Sequence, residues 1–281
     1  MAVRIVTDGS CDIDPSLQAE RGIRILPLRV FFGEQAYVEG ENLTREEFYE
    51  KLAEARELPK TAQITPVEFE DVFRPIVEAG DGVVVLPISR ELSGTYQSAL
   101  IAKEAFPGAD IYVVDTQAVT FSLALLVERA AELRDQGKSA AEIARQIEAL
   151  VPRVRLYAVI DDLKYLRMGG RLSTAGAVVG SLLGIKPIIA LQGGKVVNIG
   201  KTRGLKAAYD DLSDRAVREM EEGQPLYFGH SHAPDREAEL EEALRSRIPL
   251  PERRLMAIGS VVGTHAGPGC TGLAFVAKND G

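Results

Sequence analysis

Apolar and polar residues alternate along the first half of the chain in a rhythm of strands and helices. Short apolar runs at residues 3–7, 83–88 and 111–114 are typical of buried strands. Helix-start signals lie between them; at one, Thr65 suits the N-cap position and Glu68 completes a capping box. Strands that alternate with helices predict a mostly parallel sheet with helices on both faces.

The second half combines helices with a hairpin. A strand-like run at 156–160 is followed by two more at 187–191 and 195–199, which flank a Gly-Gly turn. Further helix and strand signals continue to the end of the chain. We therefore predict an α/β fold of two lobes with a ligand cleft between them. Residues 1–154 would hold a mostly parallel, Rossmann-like sheet, and residues 155–281 a mixed sheet.

The composition is typical of a soluble globular protein with a substantial core. Hydrophobic residues make up 46% of the 281 residues, charged residues make up 26%, and the formal net charge is -8. An acidic surface repels phosphate groups, so we expect no nucleic-acid partner. The first residues show no signal-peptide pattern, and the longest apolar stretch, 175–191, is interrupted by Lys186 and Pro187. We expect a cytoplasmic protein without stable membrane insertion.

Small polar residues follow several of the predicted strands. Asp8 and Ser10 come directly after the first strand, and Ser93 comes after the apolar run at 83–88. Ligands in open α/β sheets bind beyond the carboxyl ends of the strands, which makes these positions candidates for a binding site. Taken alone, Ser93 is more simply a helix cap, although the start of a helix also suits an anion. His265 lies in a glycine-rich, flexible segment, where a plain loop histidine is the simpler interpretation.

A serine hydrolase is one alternative function. It would pair Ser93 with His265 as nucleophile and base. Asp8 or Asp115 would then orient the histidine. However, the sequence around Ser93 lacks the G-x-S-x-G elbow. Covalent labelling of Ser93 by a fluorophosphonate probe would favour this alternative.

A metalloenzyme and a nucleotide-binding protein are two others. His230 and His232 follow a predicted strand, and Asp235 is near them; His265 would be a further ligand. Alternate residues of a strand point to opposite faces, which disfavours a metal shared by the first two histidines. The glycines at 193–194 suit a hairpin turn, and no phosphate-binding loop opens a helix. We expect no metal and no cofactor.

Five motifs recur in order along the chain. They are VTDGS at 6–10, TAQITP at 61–66, ISRELSGTYQSA at 88–99, DLKYLRMGGRLS at 162–173 and IGSVVGTHAGPG at 258–269. Together they resemble the motifs of the DegV family of bacterial fatty-acid-binding proteins. Each alone is weak, whereas five at fitting separations are specific. Ala62 and Ile64 depart from the serine and proline expected after Thr61, and Cys270 departs from a small aliphatic residue.

The resemblance implies a fold, a ligand and a set of binding residues. Family members bury an acyl chain between two α/β lobes, and some are the lipid-carrying subunit of a fatty acid kinase. The residues that hold the fatty acid carboxylate map onto Thr61 and Ser93 in the first lobe and His265 in the second. The supporting positions are Ser10, Gly94, Thr95, Arg171 and Gly267.

On this interpretation the protein is a non-catalytic binder of one long-chain fatty acid. It would present the carboxylate to an ATP-dependent kinase subunit for conversion to acyl phosphate; lipid storage or transport without a kinase is the alternative. Small and aliphatic residues at 121–127 and 173–185 would line the acyl tunnel, although they suit ordinary core packing equally well. Lys201, Arg203 and Lys206 form a basic cluster on an acidic protein, and we predict that it docks the kinase.

Overall fold

Strands and helices alternate over the residues that the computed structural model describes, 2–173 and 184–279. In chain order the strands are β1 (Val3–Asp8), β2 (Arg24–Leu26), β3 (Arg29–Phe32), β4 (Gln35–Val38), β5 (Lys60–Ala62), β6 (Gly82–Leu86), β7 (Ile111–Val113), β8 (Val154–Val159), β9 (Ile185–Gln192), β10 (Lys195–Arg203), β11 (Leu226–His230), β12 (Arg253–Ala257) and β13 (Thr271–Val276). The helices are α1 (Pro15–Arg21), α2 (Arg45–Glu54), α3 (Pro66–Glu78), α4 (Thr95–Glu104), α5 (Phe121–Asp135), α6 (Ala140–Leu150), α7 (Lys164–Met168), α8 (Leu205–Glu219), α9 (Pro234–Arg245) and α10 (Ser260–Ala266).

The first sheet is parallel throughout, with the strand order β2-β1-β6-β7. Helices α3 and α4 cover one face, where Phe69 and Val85 belong to one buried cluster. Helices α5 and α6 cover the other face, where Leu126 and Val84 belong to a second buried cluster. Because both faces are covered, β6 is buried along its whole length. The predicted parallel sheet with flanking helices is confirmed.

The second sheet is mixed, with the strand order β10-β9-β8-β13-β11-β12. Strands β11 and β12 run parallel, and the other neighbours run antiparallel. Helices α8 and α9 cover one face, around Leu212, while Leu156 on the other face joins the core of the first lobe. Strands β9 and β10 form the predicted hairpin, which turns at Gly193 and Gly194 with positive φ. The two-lobe α/β fold is confirmed, whereas a boundary after residue 154 stays a prediction.

A third, small sheet was not predicted from the sequence. Strands β4, β3 and β5 form it in that order, all antiparallel, and α2 packs beside it. The strands are only three or four residues long, so neither their length nor their periodicity identifies them. Buried Val30, Tyr37 and Phe48 hold the sheet and α2 together. This sheet carries Thr61, on β5, toward the second lobe.

Several helix-start signals read from the sequence are present in the structure. Thr65 and Ser139 each form a complete capping box, at the starts of α3 and α6. Helix α5 begins at Phe121. Most of the predicted tunnel segment 173–185 lies outside the described residues. None of the helices in the described ranges is long and apolar enough to cross a bilayer.

The glycine-rich segment around His265 is a helix, α10, and the expectation of a flexible loop was wrong. Its first backbone N–H groups find acceptors in the first lobe: Gly259 donates to Asp12, and Ser260 donates to Glu39. Carboxylates at the start of a helix satisfy free N–H groups and interact favourably with the helix dipole. These acceptors lie 247 and 221 residues away in the chain, so local sequence gives no sign of them.

Candidate functional site

An apolar pocket lies between the two lobes. Strands β8 to β10 and helix α10 form its wall on one side, and the segment after β6 and the start of α5 form it on the other. Its apolar residues include Leu28, Ile88, Leu92, Phe121, Leu156, Ala158, Ile189, Leu191, Val196, Ile258 and Val262. This lining suits an apolar ligand.

Few polar side chains interrupt this wall. Those among the described residues are Ser93, Thr120, Arg171 and His265. Thr61 is not part of the wall, but its Oγ1 lies 3.0 Å from Nε2 of His265. Ser93 and His265 therefore face the same pocket, and Thr61 is joined to it through His265.

His265 is neutral at physiological pH. Burial and, to a lesser degree, the positive charge of Arg171 lower the pKa of His265 to about 4. One ring nitrogen, Nε2, is bonded to Thr61, whereas Nδ1 is buried with no hydrogen-bond partner among the described residues. Gly169 makes room for the ring, because a Cβ at this position would lie 2.3 Å from Nδ1. A neutral imidazole can donate one hydrogen bond and accept another.

Ser93, Gly94 and Thr95 form the turn that starts α4. Oγ of Ser93 lies 2.9 Å from Oγ1 of Thr95 and accepts the backbone N–H of Thr95 at 3.3 Å. The N-cap residue is Gly94, so Ser93 lies one residue before it. Thr95 is buried and accepts the N–H of Ile64 at 3.4 Å. Ser93 thus lies where the positive end of a helix dipole favours an anion, while Thr95 fixes the turn.

Arg171 joins two loops of different lobes at the pocket wall. Its Nε donates to the carbonyl oxygen of Leu92 at 3.1 Å, and its Nη1 donates to that of Gly169 at 2.6 Å. The guanidinium carries a positive charge at all ordinary pH values. It therefore makes this part of an apolar wall attractive to a negatively charged group.

The predicted supporting residues Ser10 and Gly267 lie outside the pocket wall. Ser10 is buried; its hydroxyl donates to Asp8 at 2.5 Å, and its carbonyl oxygen accepts the N–H of Thr120 at 2.7 Å. Gly267 ends α10 with a φ of 71°, and a Cβ there would lie 2.3 Å from the ring of Tyr165. Both residues fix the loops beside the pocket rather than face it.

The basic residues singled out in the sequence lie on the surface of the second lobe. Lys201 and Arg203 are exposed and two positions apart on β10, so they point to the same side of the strand. No ion pair joins either of them to another described residue. The side chain of Lys206, on α8, is 92% exposed and lies 3.2 Å from Asp210. The cluster is therefore available to a partner.

The geometry does not support a serine hydrolase. Within the described ranges no hydrogen bond joins Ser93 to His265, because each pairs with a threonine instead. Asp8 accepts hydrogen bonds from Ser10 and from the main chain. Asp115 accepts from main-chain N–H groups and an arginine. Neither carboxylate contacts the histidine that it would have to orient.

His230 and His232 are engaged elsewhere. Nδ1 of His230 accepts the N–H of Ala233 at 3.1 Å. The ring of His232 stacks on Tyr49 with a centroid distance of 5.1 Å. In the part of the chain that the structure describes, no group of three or more His, Cys, Asp or Glu side chains is placed to hold a metal ion.

The strand residues of the pocket wall were not identified from the sequence. Strands β8 and β9 are apolar on both faces, because helices cover one face and the pocket adjoins the other. Neighbours such as Tyr157 and Ala158 are therefore both largely apolar and buried, although of these two only Ala158 lines the pocket. Of the predicted tunnel segment 121–127, Phe121 lines it. The sequence of these strands therefore carries no signal that separates the pocket face from the other face.

Known proteins resemble the chain over almost its whole length. The model of the DegV family matches residues 2–278. A DegV domain-containing protein of Deinococcus radiodurans is 36% identical over 277 residues, or 98% of each chain. A solved structure described as fatty acid binding of a DegV family protein from Thermus thermophilus has a TM-score of 0.90 and 34% identity, over 98% of this chain and 100% of that one. A stearic acid-binding protein from Eubacterium ventriosum has a TM-score of 0.88 and 29% identity, over 99% of each.

Proposed function

The chain belongs to the DegV family, and from that premise we propose that it binds one long-chain fatty acid, whose carboxylate is held by Thr61, Ser93 and His265. The observation that carries the proposal is the apolar pocket between the lobes, with Ser93 and His265 in its wall. Support comes from the similar structures of T. thermophilus and E. ventriosum, which are described as binding fatty acid and stearic acid.

The hydrocarbon tail would supply most of the affinity. A sixteen-carbon chain buries about fourteen methylenes, and at ~0.8 kcal/mol each they contribute roughly 11 kcal/mol of gross transfer free energy. Association and ordering cost at least ~4 kcal/mol of this. The remainder is enough for tight binding, so the polar residues need only satisfy and orient the headgroup.

The carboxylate needs hydrogen-bond donors, because an unpaired charge in an apolar pocket is costly. The hydroxyl group of Ser93 would donate to it. The hydroxyl of Thr61 and the neutral imidazole of His265 share one hydrogen bond, so this pair has one further donor for the carboxylate. The donor is the O–H of Thr61 if Nε2 of His265 is protonated, and the Nδ1–H of His265 if Nε2 accepts. Such bonds to a charged group contribute about 1.5–3 kcal/mol each. The positive charge of Arg171 in the pocket wall favours the ionised form of the ligand.

The binding residues come from both halves of the chain. We place the lobe boundary after residue 154, where β8 begins, so that residues 1–154 supply Thr61 and Ser93 and residues 155–281 supply Arg171 and His265. A ligand between the lobes would then contact both of them. In this proposal the protein acts in the cytoplasm, where free fatty acid is available to a soluble carrier.

Organic extraction of the purified protein followed by mass spectrometry tests the ligand. We expect one equivalent of a long-chain fatty acid per chain.

Calorimetry on delipidated protein should then show binding of palmitate and much weaker binding of its methyl ester, which keeps the tail and removes the carboxylate. Ser93→Ala should weaken binding of the acid, whereas Ser246→Ala, an exposed control directly after α9, should not. Absence of any bound lipid, together with no binding of palmitate, would refute the proposal.

We also propose that the protein presents the carboxylate to an ATP-dependent kinase subunit, which docks on Lys201, Arg203 and Lys206. The support is a cluster of exposed positive charges on a chain with a net charge of -8. Arg203→Glu should lower acyl phosphate formation by the kinase and leave fatty acid affinity unchanged. Arg24→Glu makes the same charge change at an exposed position of the first lobe and serves as the control. Unchanged turnover of R203E would favour lipid storage or transport without a docked kinase at this surface.

A further inference from the structure

The helix that carries His265 begins against two carboxylates of the first lobe. The N–H of Gly259 donates to Oδ1 of Asp12 at 2.9 Å, and the N–H of Ser260 donates to Oε2 of Glu39 at 2.5 Å. The contact is close: a Cβ on Gly259 would lie 2.5 Å from Oε2 of Glu39. Helix α10 has only seven residues and no side-chain cap of its own. A helix this short has little stability in isolation, so its geometry depends on such external contacts.

Arg45 fixes the position of the Glu39 side chain. Its Nε donates to Oε1 of Glu39 at 2.6 Å, and both side chains are about three-quarters buried. Arg45 is the first residue of α2, so the carboxylate is held between two helix starts. Each carboxylate oxygen of Glu39 contacts one of these helix starts: Oε1 accepts from Arg45 of α2, and Oε2 accepts from Ser260 of α10.

The small sheet holds both ends of α10. Glu39 directly follows β4, and Thr61, which contacts His265 near the end of the helix, lies on β5 of the same sheet. Between these ends, Gly263 packs so tightly that a Cβ would lie 2.6 Å from Oη of Tyr49 on α2. A helix fixed at its start, middle and end has little freedom to rotate about its axis.

From these contacts we propose that Glu39 is a positioning residue for the headgroup site. It does not contact the pocket; it acts through the start of α10 and sets the orientation in which the imidazole of His265 meets Thr61. The proposal rests on the proposed function for its effect on fatty acid affinity. Its effect on the histidine itself does not depend on any ligand.

The test compares Glu39→Ala with Glu142→Ala. Glu142 also accepts a backbone N–H at a helix start, at 2.9 Å, but on α6, away from the pocket. Loss of a helix cap corresponds to about a fivefold change in an equilibrium constant. We therefore expect E39A to raise the Kd for palmitate about fivefold or more, E142A to leave it unchanged, and Glu39→Gln, which keeps an acceptor oxygen, to restore most of the affinity.

Nuclear magnetic resonance of the delipidated protein supplies the second measurement. In E39A the imidazole resonances of His265 should shift and its pKa should rise from about 4 toward the ordinary value, whereas E142A should change neither. Should E39A fail to fold, Glu39→Asp, which keeps the charge and shortens the side chain, replaces it with the same expectation. Unaltered His265 resonances in folded E39A, or in folded Glu39→Asp where E39A does not fold, would overturn the positioning role. If the His265 resonances shift in E39A but the wild type binds no fatty acid, the proposed function is refuted and the positioning role of Glu39 stands.

Discussion

Oγ1 of Thr61 lies 3.0 Å from Nε2 of His265, although 204 residues separate the two in the chain. Thr61 reaches this position on the edge of the small antiparallel sheet, and His265 reaches it near the end of α10. The contact therefore joins two elements that the strand–helix rhythm of the sequence does not reveal. It also leaves the histidine with one nitrogen engaged before any ligand binds.

Replacement of Thr61 by valine should weaken fatty acid binding tenfold or more. Valine has the shape of threonine and lacks the hydroxyl, so the hydrogen bonds of this hydroxyl in the headgroup site are lost, at a cost of about 1.5–3 kcal/mol. Isothermal titration calorimetry with palmitate measures the change. Thr202→Val on β10, where the hydroxyl donates to the carbonyl oxygen of Gly204, is the matched control and should bind as the wild type does.

Protonation of His265 should destabilise the ligand-free protein in mildly acidic solution. The pKa of His265 is about 4 in the folded state and near 6.5 when it is exposed, so the unfolded state binds the proton more tightly between these values. Stability is thus complete above pH 6.5 and falls as the pH drops to 4, by about 3 kcal/mol in total. Urea denaturation of wild type and His265→Gln from pH 7 to 4 should show a difference that grows in this window. Parallel curves would contradict the buried, neutral histidine.

Asp12 should give the opposite dependence. Burial raises the pKa of Asp12 to about 7, while the charge of Arg45 opposes the rise. The folded state therefore binds the proton more tightly, and the stability contributed by this group falls as the pH rises from about 4 to 7, by roughly 4 kcal/mol at most. Asp12→Asn keeps the Oδ1 acceptor for Gly259 and does not titrate. The free energy of unfolding of D12N, relative to that of wild type, should increase from pH 4 to 7 when both are measured by urea denaturation. A difference that stays constant with pH would show that the carboxylate of Asp12 is ionised throughout this range.

Gly169→Ala should disturb the histidine directly. An added Cβ would lie 2.3 Å from Nδ1 of His265, so either the ring or the loop must move. We expect a Kd for palmitate at least tenfold higher and a loss of stability of about 1–3 kcal/mol. Gly200→Ala, where a Cβ meets nothing within 4 Å, is the control for the added methyl group. Equal affinities of G169A and G200A would show that the ring position is not critical.

The fold was predictable where a pattern repeats, and much less so where contacts are distant in sequence. The parallel sheet followed from buried runs such as 83–88 and from capping signals such as Thr65. The small sheet was missed because strands of three or four residues carry no usable period. Helix α10 was missed because Asp12 and Glu39 complete its first turn from the other lobe. The residues of the candidate site came from motif resemblance, whereas their mutual geometry required the three-dimensional structure.

A planar side chain contributes to the coupling of the two lobes at the pocket. Arg171 donates to the carbonyl oxygen of Leu92 through one nitrogen and to that of Gly169 through another. Lysine has only one nitrogen and cannot reproduce this fixed pair of directions. The loops that carry Leu92 and Gly169 are therefore tied through one rigid ionic group. Any separation of these two loops requires that at least one of these bonds breaks.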